Sequence, residues 1–199
     1  MVDYAEDADF IGRRKPRKYR SKEEVLARRA ARNAARSSAD WKAFARDTVY
    51  RQLGVRDRSE AELRTALSQR DVPDEVIGET IAAFEKAGLV DDEKFARAFA
   101  RAHYEGSRIS KKALAIKLRA KGIAEATIQE VLGEYSDESE REAALEFALR
   151  KVNSMRGLDP MVAKRRLYGA LARRGFGPSD IRFAVSQALD ELSAEESNE

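Results

Sequence analysis

The chain contains 199 residues with a formal net charge of +3, and 37% of its residues are charged while 43% are hydrophobic. Alanine, leucine, arginine, lysine and glutamate dominate and only four prolines occur, a usage typical of long or repeated helices. Because there is no cysteine and no run of about eighteen apolar residues, the sequence excludes disulfides and thiolate metal sites and predicts a cytoplasmic protein without a membrane span.

A basic arm forms the first forty residues. Residues 1–40 carry eleven Lys and Arg against seven Asp and Glu, and all eleven lie between Arg13 and Arg36. Ser21 and Glu24 have the spacing of a capping box, so residues 22–35 can form a helix, although one with few large apolar side chains. We expect a disordered or partly helical arm that is either a solubilising tail or an electrostatic tether to DNA. The candidate tether residues are Arg13, Arg14, Lys15, Arg17, Lys18 and Arg20.

Three copies of one apolar pattern follow the arm. The spacing in copy two recurs 51 residues earlier in copy one and 53 residues later in copy three. A repeat of this length in a helix-rich sequence indicates a stack of similar helical units. The pattern consists of Leu63, Leu67, Val72, Ile77 and Ile81 in copy one, of Leu114, Leu118, Ile123, Ile128 and Leu132 in copy two, and of Leu167, Leu171, Phe176, Ile181 and Val185 in copy three.

Each copy has the sequence of a helix, a tight turn and a second helix. Gly122 stands where a helix would end in the left-handed conformation, which glycine adopts without a Cβ clash, and Gly175 has the same place in copy three. Leu118 and Ile123 then form the apolar pair of a Schellman ending. Copy one has Asp71 instead of glycine, and because aspartate reaches this conformation at a cost, we expect a less regular ending there.

A further helix is predicted before each of these pairs. Its apolar residues are Trp41, Phe44, Thr48 and Val49 in copy one, Phe95, Phe99 and Ala102 in copy two, and Ala144, Phe147, Ala148 and Val152 in copy three. Start signals agree with three helices in a copy, since Ser59 and Glu62 form a capping box, acids follow Asp91, and Pro160 suits a first helical position. Stop signals agree as well, at Gly88 and Gly106.

The predicted fold is therefore all-α, with three tandem three-helix repeats that form an elongated, curved array. We expect repeat one over residues 41–90, repeat two over 91–136 and repeat three over 137–189. The acidic tail, residues 190–199, is expected to be disordered.

The run Gly88–Phe99 (GLVDDEKFARAF) resembles the most recognisable stretch of the bacterial RecX proteins. The run Leu114–Ile123 (LAIKLRAKGI) is similar to their second-copy helix and turn, and the order of three copies of three helices also matches. The resemblance covers about three quarters of the chain and implies a regulator of RecA, the recombinase that forms helical filaments on single-stranded DNA. It further implies binding in the filament groove and inhibition of recombinase and ATPase activities. Asp71 and the long basic arm depart from the family pattern.

Basic residues recur on the second helices of copies two and three, where Lys164, Arg165 and Arg174 match Lys111, Lys112 and Lys121. In copy one only Arg70 occupies such a position. The ten candidate contact residues, here termed the basic row, are Lys111, Lys112, Lys117, Arg119, Lys121, Lys164, Arg165, Arg166, Arg173 and Arg174. They are either ordinary solvated charges or contacts to DNA phosphates or to an acidic surface of the RecA filament.

The sequence argues against two other kinds of site. The third helices of the copies carry acids such as Glu79 and Glu130, which would repel a phosphate backbone, so sequence-specific reading by a helix-turn-helix is not expected. His103 is the only histidine and has no cysteine or second histidine as a partner, so we expect it to be structural. We expect no catalytic residue, metal site or cofactor.

Three functions remain open on these grounds. The first is a non-enzymatic regulator that binds RecA and its filaments during homologous recombination, DNA repair and the SOS response. The second is a sequence-independent DNA-binding protein that acts through the arm and the basic row, and the third is a helical scaffold for another partner. We expect weak binding to single-stranded DNA, leave binding to double-stranded DNA open, and expect a monomer.

Overall fold

The computed structural model describes residues 21–196, which form ten α-helices and, within that range, no strand. The all-α prediction is confirmed, and none of the described helices is long and apolar enough to cross a bilayer. In chain order the helices are α1 (Lys22–Ala34), α2 (Ser38–Leu53), α3 (Glu60–Ser68), α4 (Asp74–Lys86), α5 (Asp92–Arg101), α6 (Lys111–Ala120), α7 (Glu125–Gly133), α8 (Asp137–Val152), α9 (Pro160–Arg173) and α10 (Pro178–Glu196).

The chain divides into two units between Asp40 and Trp41. In the first unit α1 begins at the predicted cap, because the Ser21 hydroxyl accepts a hydrogen bond of 3.1 Å from the Glu24 backbone N–H. No residue of α1 is buried, as its alanine- and arginine-rich sequence predicts. The candidate tether residues of the arm lie outside the described residues; they are Arg13, Arg14, Lys15, Arg17, Lys18 and Arg20.

The second unit contains the three predicted three-helix repeats, formed by α2 from Trp41 onward with α3 and α4, by α5–α7 and by α8–α10. Fourteen of the fifteen positions of the apolar pattern are buried, and Leu132 is half-buried against the same core. The reason is the spacing, because residues four apart lie on one face of a helix and that face packs inward. The pattern that defines the repeat in the sequence is thus the pattern that fills the core.

The turns after α3, α6 and α9 have the same geometry. Asp71, Gly122 and Gly175 have φ angles of 60°, 78° and 85°. In each Schellman ending the N–H that follows this residue donates to a carbonyl five residues earlier. These bonds run from Val72 to Leu67 at 3.3 Å, from Ile123 to Leu118 at 3.2 Å and from Phe176 to Leu171 at 3.4 Å. The expectation of a less regular ending at Asp71 is wrong, because its side chain does not prevent the left-handed turn.

One turn of π-helix ends the first helix of repeat two. It spans Ala102–Gly106 directly after α5 and rotates the following residues relative to an uninterrupted α-helix. Ala102 is therefore exposed and Tyr104 is buried, so the prediction that Ala102 lies on the apolar face is wrong. His103 is half-buried against the Phe99 ring, with the ring centroids 4.2 Å apart. Burial lowers the pKa of this imidazole, as do the nearby ammonium groups of Lys117 and Lys121.

The last helix extends beyond its predicted end. Helix α10 continues through residues 190–196, which were expected to be disordered, so this expectation is wrong for them. Leu192 explains the difference, because it is only 7% exposed and extends the inward face of Val185 and Ala188 by another turn.

The second unit has two separate hydrophobic cores. Repeats two and three share one core, which extends without a break from Phe95 in α5 to Leu192 in α10. Repeat one has its own core, from Trp41 in α2 to Val90 after α4. Repeat one should therefore unfold with some independence from the other two.

Polar contacts connect repeat one to repeat two at a site here termed the first joint, where the start of α3 meets the turn after α6. The buried Ser59 hydroxyl donates a hydrogen bond of 2.6 Å to the Lys121 carbonyl. The Lys121 ammonium lies 2.7 Å from the Glu62 carboxylate. A Cβ atom added to Gly122 would lie 2.3 Å from the Ala61 Cβ, so only glycine fits this approach.

The same arrangement recurs between repeats two and three. There the Ser110 backbone N–H donates to the Arg174 carbonyl at 3.1 Å, and a Cβ on Gly175 would lie 2.6 Å from the Ser110 hydroxyl. Gly122 and Gly175 thus have two roles. Each allows the left-handed turn of its own repeat, and each allows the preceding repeat to approach closely. Asp71 belongs to the first repeat, which has no preceding repeat, and a side chain is compatible with its turn.

The ion pairs of Glu62 at the first joint make the folding stability of repeat one depend on pH. Burial would raise the pKa of the Glu62 carboxyl, but hydrogen bonds from Arg56 and Lys121 outweigh it and lower that pKa to about 2. A carboxylate whose pKa falls on folding stabilises the fold above its unfolded value of 4.5, and this contribution disappears as the pH falls towards 2. We expect Glu62→Gln to destabilise repeat one by about 2 kcal/mol at neutral pH and by almost nothing near pH 2.

Urea unfolding at a series of pH values checks this prediction. Trp41 is the only tryptophan and lies in the core of repeat one, so its fluorescence reports on that repeat. Asp92, whose pKa is raised by burial, is present in both proteins and cancels in the comparison. A difference between wild type and Glu62→Gln that stays constant from pH 7 to pH 2 would contradict the assigned role.

Candidate partner-binding surface

The structure shows that part of the basic row holds the fold together. The Lys111 ammonium lies 2.7 Å from the Asp137 carboxylate and donates to the Tyr135 carbonyl at 2.9 Å. Its backbone N–H donates to Glu140 at 3.1 Å. Lys111 therefore ties the start of α6 to the start of α8, and its side chain is only 21% exposed.

Two further members of the basic row are paired with carboxylates. Arg119 donates two hydrogen bonds to Glu125, at 2.8 and 2.7 Å, and these lower the pKa of the Glu125 carboxyl to about 2. Lys121 pairs with Glu62 at the first joint. Of the five members in repeat two, only Lys112 and Lys117 are exposed without an ion pair to another described residue.

Arg174 is held in a different way. Its guanidinium carbon lies 4.1 Å from the centre of the Phe147 ring, a cation–π contact. The same group donates to the carbonyls of Ser107 and Arg108. Burial lowers the pKa of Arg174, and the charge of the neighbouring Arg150 lowers it further. Arg174 is thus fixed in place by carbonyls and a ring, which leave its positive charge uncompensated.

The four remaining members of the basic row lie on α9 and are exposed, with no ion pair inside the described chain; they are Lys164, Arg165, Arg166 and Arg173. Three of them face a cleft of about 450 Å³ between the end of α8 and α9. Lys151 adds a fourth cation, and no acidic side chain of the described part lines the space. The lining residues of this cleft, here termed the third-repeat cleft, are Lys151, Ser154, Met155, Arg165, Arg166, Gly169, Ala170 and Arg173.

The helical period of α9 produces the third-repeat cleft. Gly169 and Ala170 each lie three or four residues from both Arg166 and Arg173, which places the four residues on one face. The two small residues lie between the two arginines and leave the space open. A Cβ atom on Gly169 would lie 3.3 Å from the Arg173 guanidinium, so even a methyl group begins to fill the cleft.

A second cleft, of about 370 Å³, adjoins the third-repeat cleft through the shared side chain of Lys151. Phe147, Arg150 and Arg174 also line it. Arg150 and Lys151 are not among the predicted contact residues, because they lie on the first helix of repeat three and the basic positions that recur between copies lie on the second helices. The sequence does show that these two cations are adjacent in the last turn of α8. Cations at that place are also favoured by the helix dipole, so the pair alone does not indicate a binding site.

A groove of about 560 Å³ at the first joint provides a contrast. Four basic residues line it too, namely Arg58, Arg70, Arg119 and Lys121. There, however, the carboxylates of Glu62 and Glu125 lie within 2.8 Å of Lys121 and Arg119. Uncompensated positive charge is therefore concentrated in repeat three rather than spread evenly over repeats two and three.

Models of three RecX domains match the chain in order. The model described as the first three-helix domain of RecX matches residues 45–83, the second matches residues 91–132, and the third matches residues 138–185. Together they cover more than half of the chain and all three repeats.

Individual proteins agree with these matches. Regulatory protein RecX of Streptomyces coelicolor is 36% identical over 147 residues, which are 74% of this chain and 78% of that protein. Regulatory protein RecX of Thermobifida fusca is 35% identical over 156 residues, 78% of this chain and 83% of that protein. The crystal structure of RecX from Lactobacillus salivarius has the same fold, with a TM-score of 0.64 at 20% identity over 75% of this chain and 97% of that chain.

Proposed function

Because the chain belongs to the RecX family, we propose that it regulates the RecA recombinase by binding RecA filaments on single-stranded DNA. The match of all three repeats to the three RecX domains is the observation that supports this function most strongly. We propose binding in the filament groove and inhibition of recombinase and ATPase activities, as the resemblance of residues 88–99 and 114–123 implies.

We propose that the protein acts by binding alone and catalyses no reaction. It would do so in the cytoplasm and without a cofactor. A filament on DNA presents both protein surface and phosphates, and a stack of three repeats offers contacts along its length. The uncompensated cations of repeat three support contacts to anionic groups there. Lys111, Arg119 and Lys121 are less suited to this role, because their charges are already paired within the chain.

Strand exchange driven by RecA tests the proposal. We expect the protein to slow strand exchange and filament ATPase activity at concentrations well below those that saturate bare DNA. A protein that leaves both activities unchanged at every concentration would refute regulation of RecA.

The second candidate function is sequence-independent DNA binding as the main activity. The observation in its favour is the set of exposed cations on α9 that have no carboxylate partner among the described residues. This function requires tight binding to DNA in the absence of RecA, with an affinity that falls steeply with salt. A flat salt response would rule it out.

Single charge reversals test the contribution of the basic row to filament binding. Lys112→Glu and Arg165→Glu are each expected to weaken binding to RecA filaments about tenfold, since each replaces an attraction with a repulsion of about 1 kcal/mol or more. Arg46→Glu is the matched control, because Arg46 is exposed on α2, outside the basic row. Titration of labelled filaments measures the three affinities, and equal affinities would remove the basic row from the interface.

A further inference from the structure

We propose that the third-repeat cleft binds the phosphodiester backbone of a single-stranded nucleic acid, with Arg150 and Arg174 continuing the site into the adjoining cleft. This assignment rests on the proposed function, which brings the protein to DNA, and it locates the nucleic-acid contact in one place. The chemistry is charge pairing by guanidinium groups, which suit phosphate because two N–H donors meet two oxygens.

The charge balance of the cleft points to an anionic ligand. Lys151, Arg165, Arg166 and Arg173 surround a space of about 450 Å³ with no carboxylate among the described lining residues. Like charges around one space repel each other, and a polyanion relieves that repulsion while releasing its own counterions. The groove at the first joint also has four cations, but its acids already provide this compensation.

The shape of the cleft points the same way. Gly169 lies in the interior of α9, where glycine is less stable than alanine by about 0.5–1 kcal/mol. A side chain at this position would meet Arg173 and occupy the space between the arginines. The helix thus has its most weakening residue at a point where a large side chain would take up part of the cleft.

The extent of the site favours a single strand over an acidic peptide. The two clefts share Lys151 and present six cations in succession, which suits a polymer with a charge on every unit. The adjoining cleft also contains the stack of Arg174 on Phe147. Proteins hold unpaired strands by combining cations with arginine and aromatic side chains on which bases stack, and a base within a duplex is not available for such stacking.

Fluorescence anisotropy with a labelled oligothymidylate, in the absence of RecA, tests the assignment. Replacing Arg165, Arg166 and Arg173 together with glutamine is expected to lower affinity at least about tenfold and to reduce the slope of log K against log salt by about 2, since each lost contact contributes about 0.7. The matched control is the triple variant Arg46→Gln, Lys86→Gln and Arg101→Gln, which has the same net charge and exposed positions elsewhere. Equal losses in the two variants would overturn the assignment.

Gly169→Leu tests the contribution of the shape of the cleft separately from that of its cations. This variant keeps every cation and improves helix propensity, but its side chain fills the space between the arginines. We expect it to bind the oligothymidylate about tenfold more weakly while its helical circular dichroism is unchanged. If Gly169→Leu binds the oligothymidylate as tightly as the wild-type protein does, the assignment is overturned. It is also overturned if the wild-type protein binds a duplex of the same length as tightly as the single strand.

Parallel assays of RecA strand exchange distinguish this inference from the proposed function. If the cleft triple variant binds bare DNA like wild type but no longer slows strand exchange, the cleft contacts protein, and the inference falls while the proposed function stands. If wild type leaves strand exchange unchanged while the DNA results are as expected, the proposed function falls and the cleft remains a nucleic-acid site.

Discussion

Gly122→Ala is expected to destabilise the contact between repeats one and two by about 3 kcal/mol. Part of this loss, about 1–2 kcal/mol, comes from placing a Cβ on a backbone with φ of 78°. The remainder comes from overpacking, because the new Cβ would lie 2.3 Å from the Ala61 Cβ and one of the two repeats must shift. The clash involves two atoms close to the backbone, so a side-chain rotation cannot relieve it.

Gly88 provides the matched control for this prediction. It has φ of 66°, but a Cβ added there meets nothing within 4 Å. Gly88→Ala is therefore expected to lose only the backbone contribution of about 1–2 kcal/mol. Unfolding followed by Trp41 fluorescence compares the two variants, and equal losses would show that the close approach at the first joint has no energetic weight.

A double-mutant cycle sharpens the test. Ala61→Gly removes the atom with which a Cβ at position 122 would collide. It weakens α3 by itself by about 0.5–1 kcal/mol, but combined with Gly122→Ala it should restore the joint, which gives a coupling of at least about 1 kcal/mol. Strict additivity of the two changes would contradict the proposed contact.

Truncation of Leu171 to alanine is expected to destabilise repeats two and three together by about 3–4 kcal/mol. Leu171 is completely buried in the core that those repeats share, and removal of a buried leucine side chain loses its transfer free energy and leaves a cavity. Leu67 has the same position in repeat one and is also completely buried, but in the separate core. Leu67→Ala should therefore destabilise repeat one by a similar amount.

The two leucine variants test the division into two cores. Trp41 fluorescence should shift to lower urea concentration in Leu67→Ala and stay near the wild-type transition in Leu171→Ala. Far-UV circular dichroism, which follows all helices, should show the larger change in Leu171→Ala. Coincident transitions by both probes in both variants would mean that the repeats unfold as one unit. Leu89→Ala, at a half-exposed position, is the control for truncation itself.

The repeat was predictable from sequence because burial acts on every copy in the same way. Positions such as Leu114 and Leu118 are apolar in all three copies since each copy fills a core with them. The turn at Gly122 was predictable too, because it depends only on residues that are close in sequence. Its contact with Ala61 was not, because it joins residues of two different repeats, and spacing within one copy contains no information about the neighbouring copy.

The candidate site was less predictable than the fold. A helical wheel identifies Lys111 and Lys121 as flanking the apolar face, but it cannot show that Asp137 and Glu62 pair with them from other helices. Lys151 was missed for the complementary reason, because the cleft it lines forms between two helices of one repeat. Charge on a helix face becomes a binding site only where the fold leaves it uncompensated, and this depends on the tertiary arrangement.

Binding to RecA filaments, compared with bare DNA of the same sequence and length, tests the regulatory function most directly. Titration of the protein into labelled single-stranded DNA, with and without RecA and a non-hydrolysable ATP analogue, measures both affinities in one buffer. We expect the filament to be bound at least about tenfold more tightly than the bare strand, because it offers protein contacts in addition to phosphates. Equal affinity for the two, or tighter binding to bare DNA, would contradict a function as a regulator that recognises RecA.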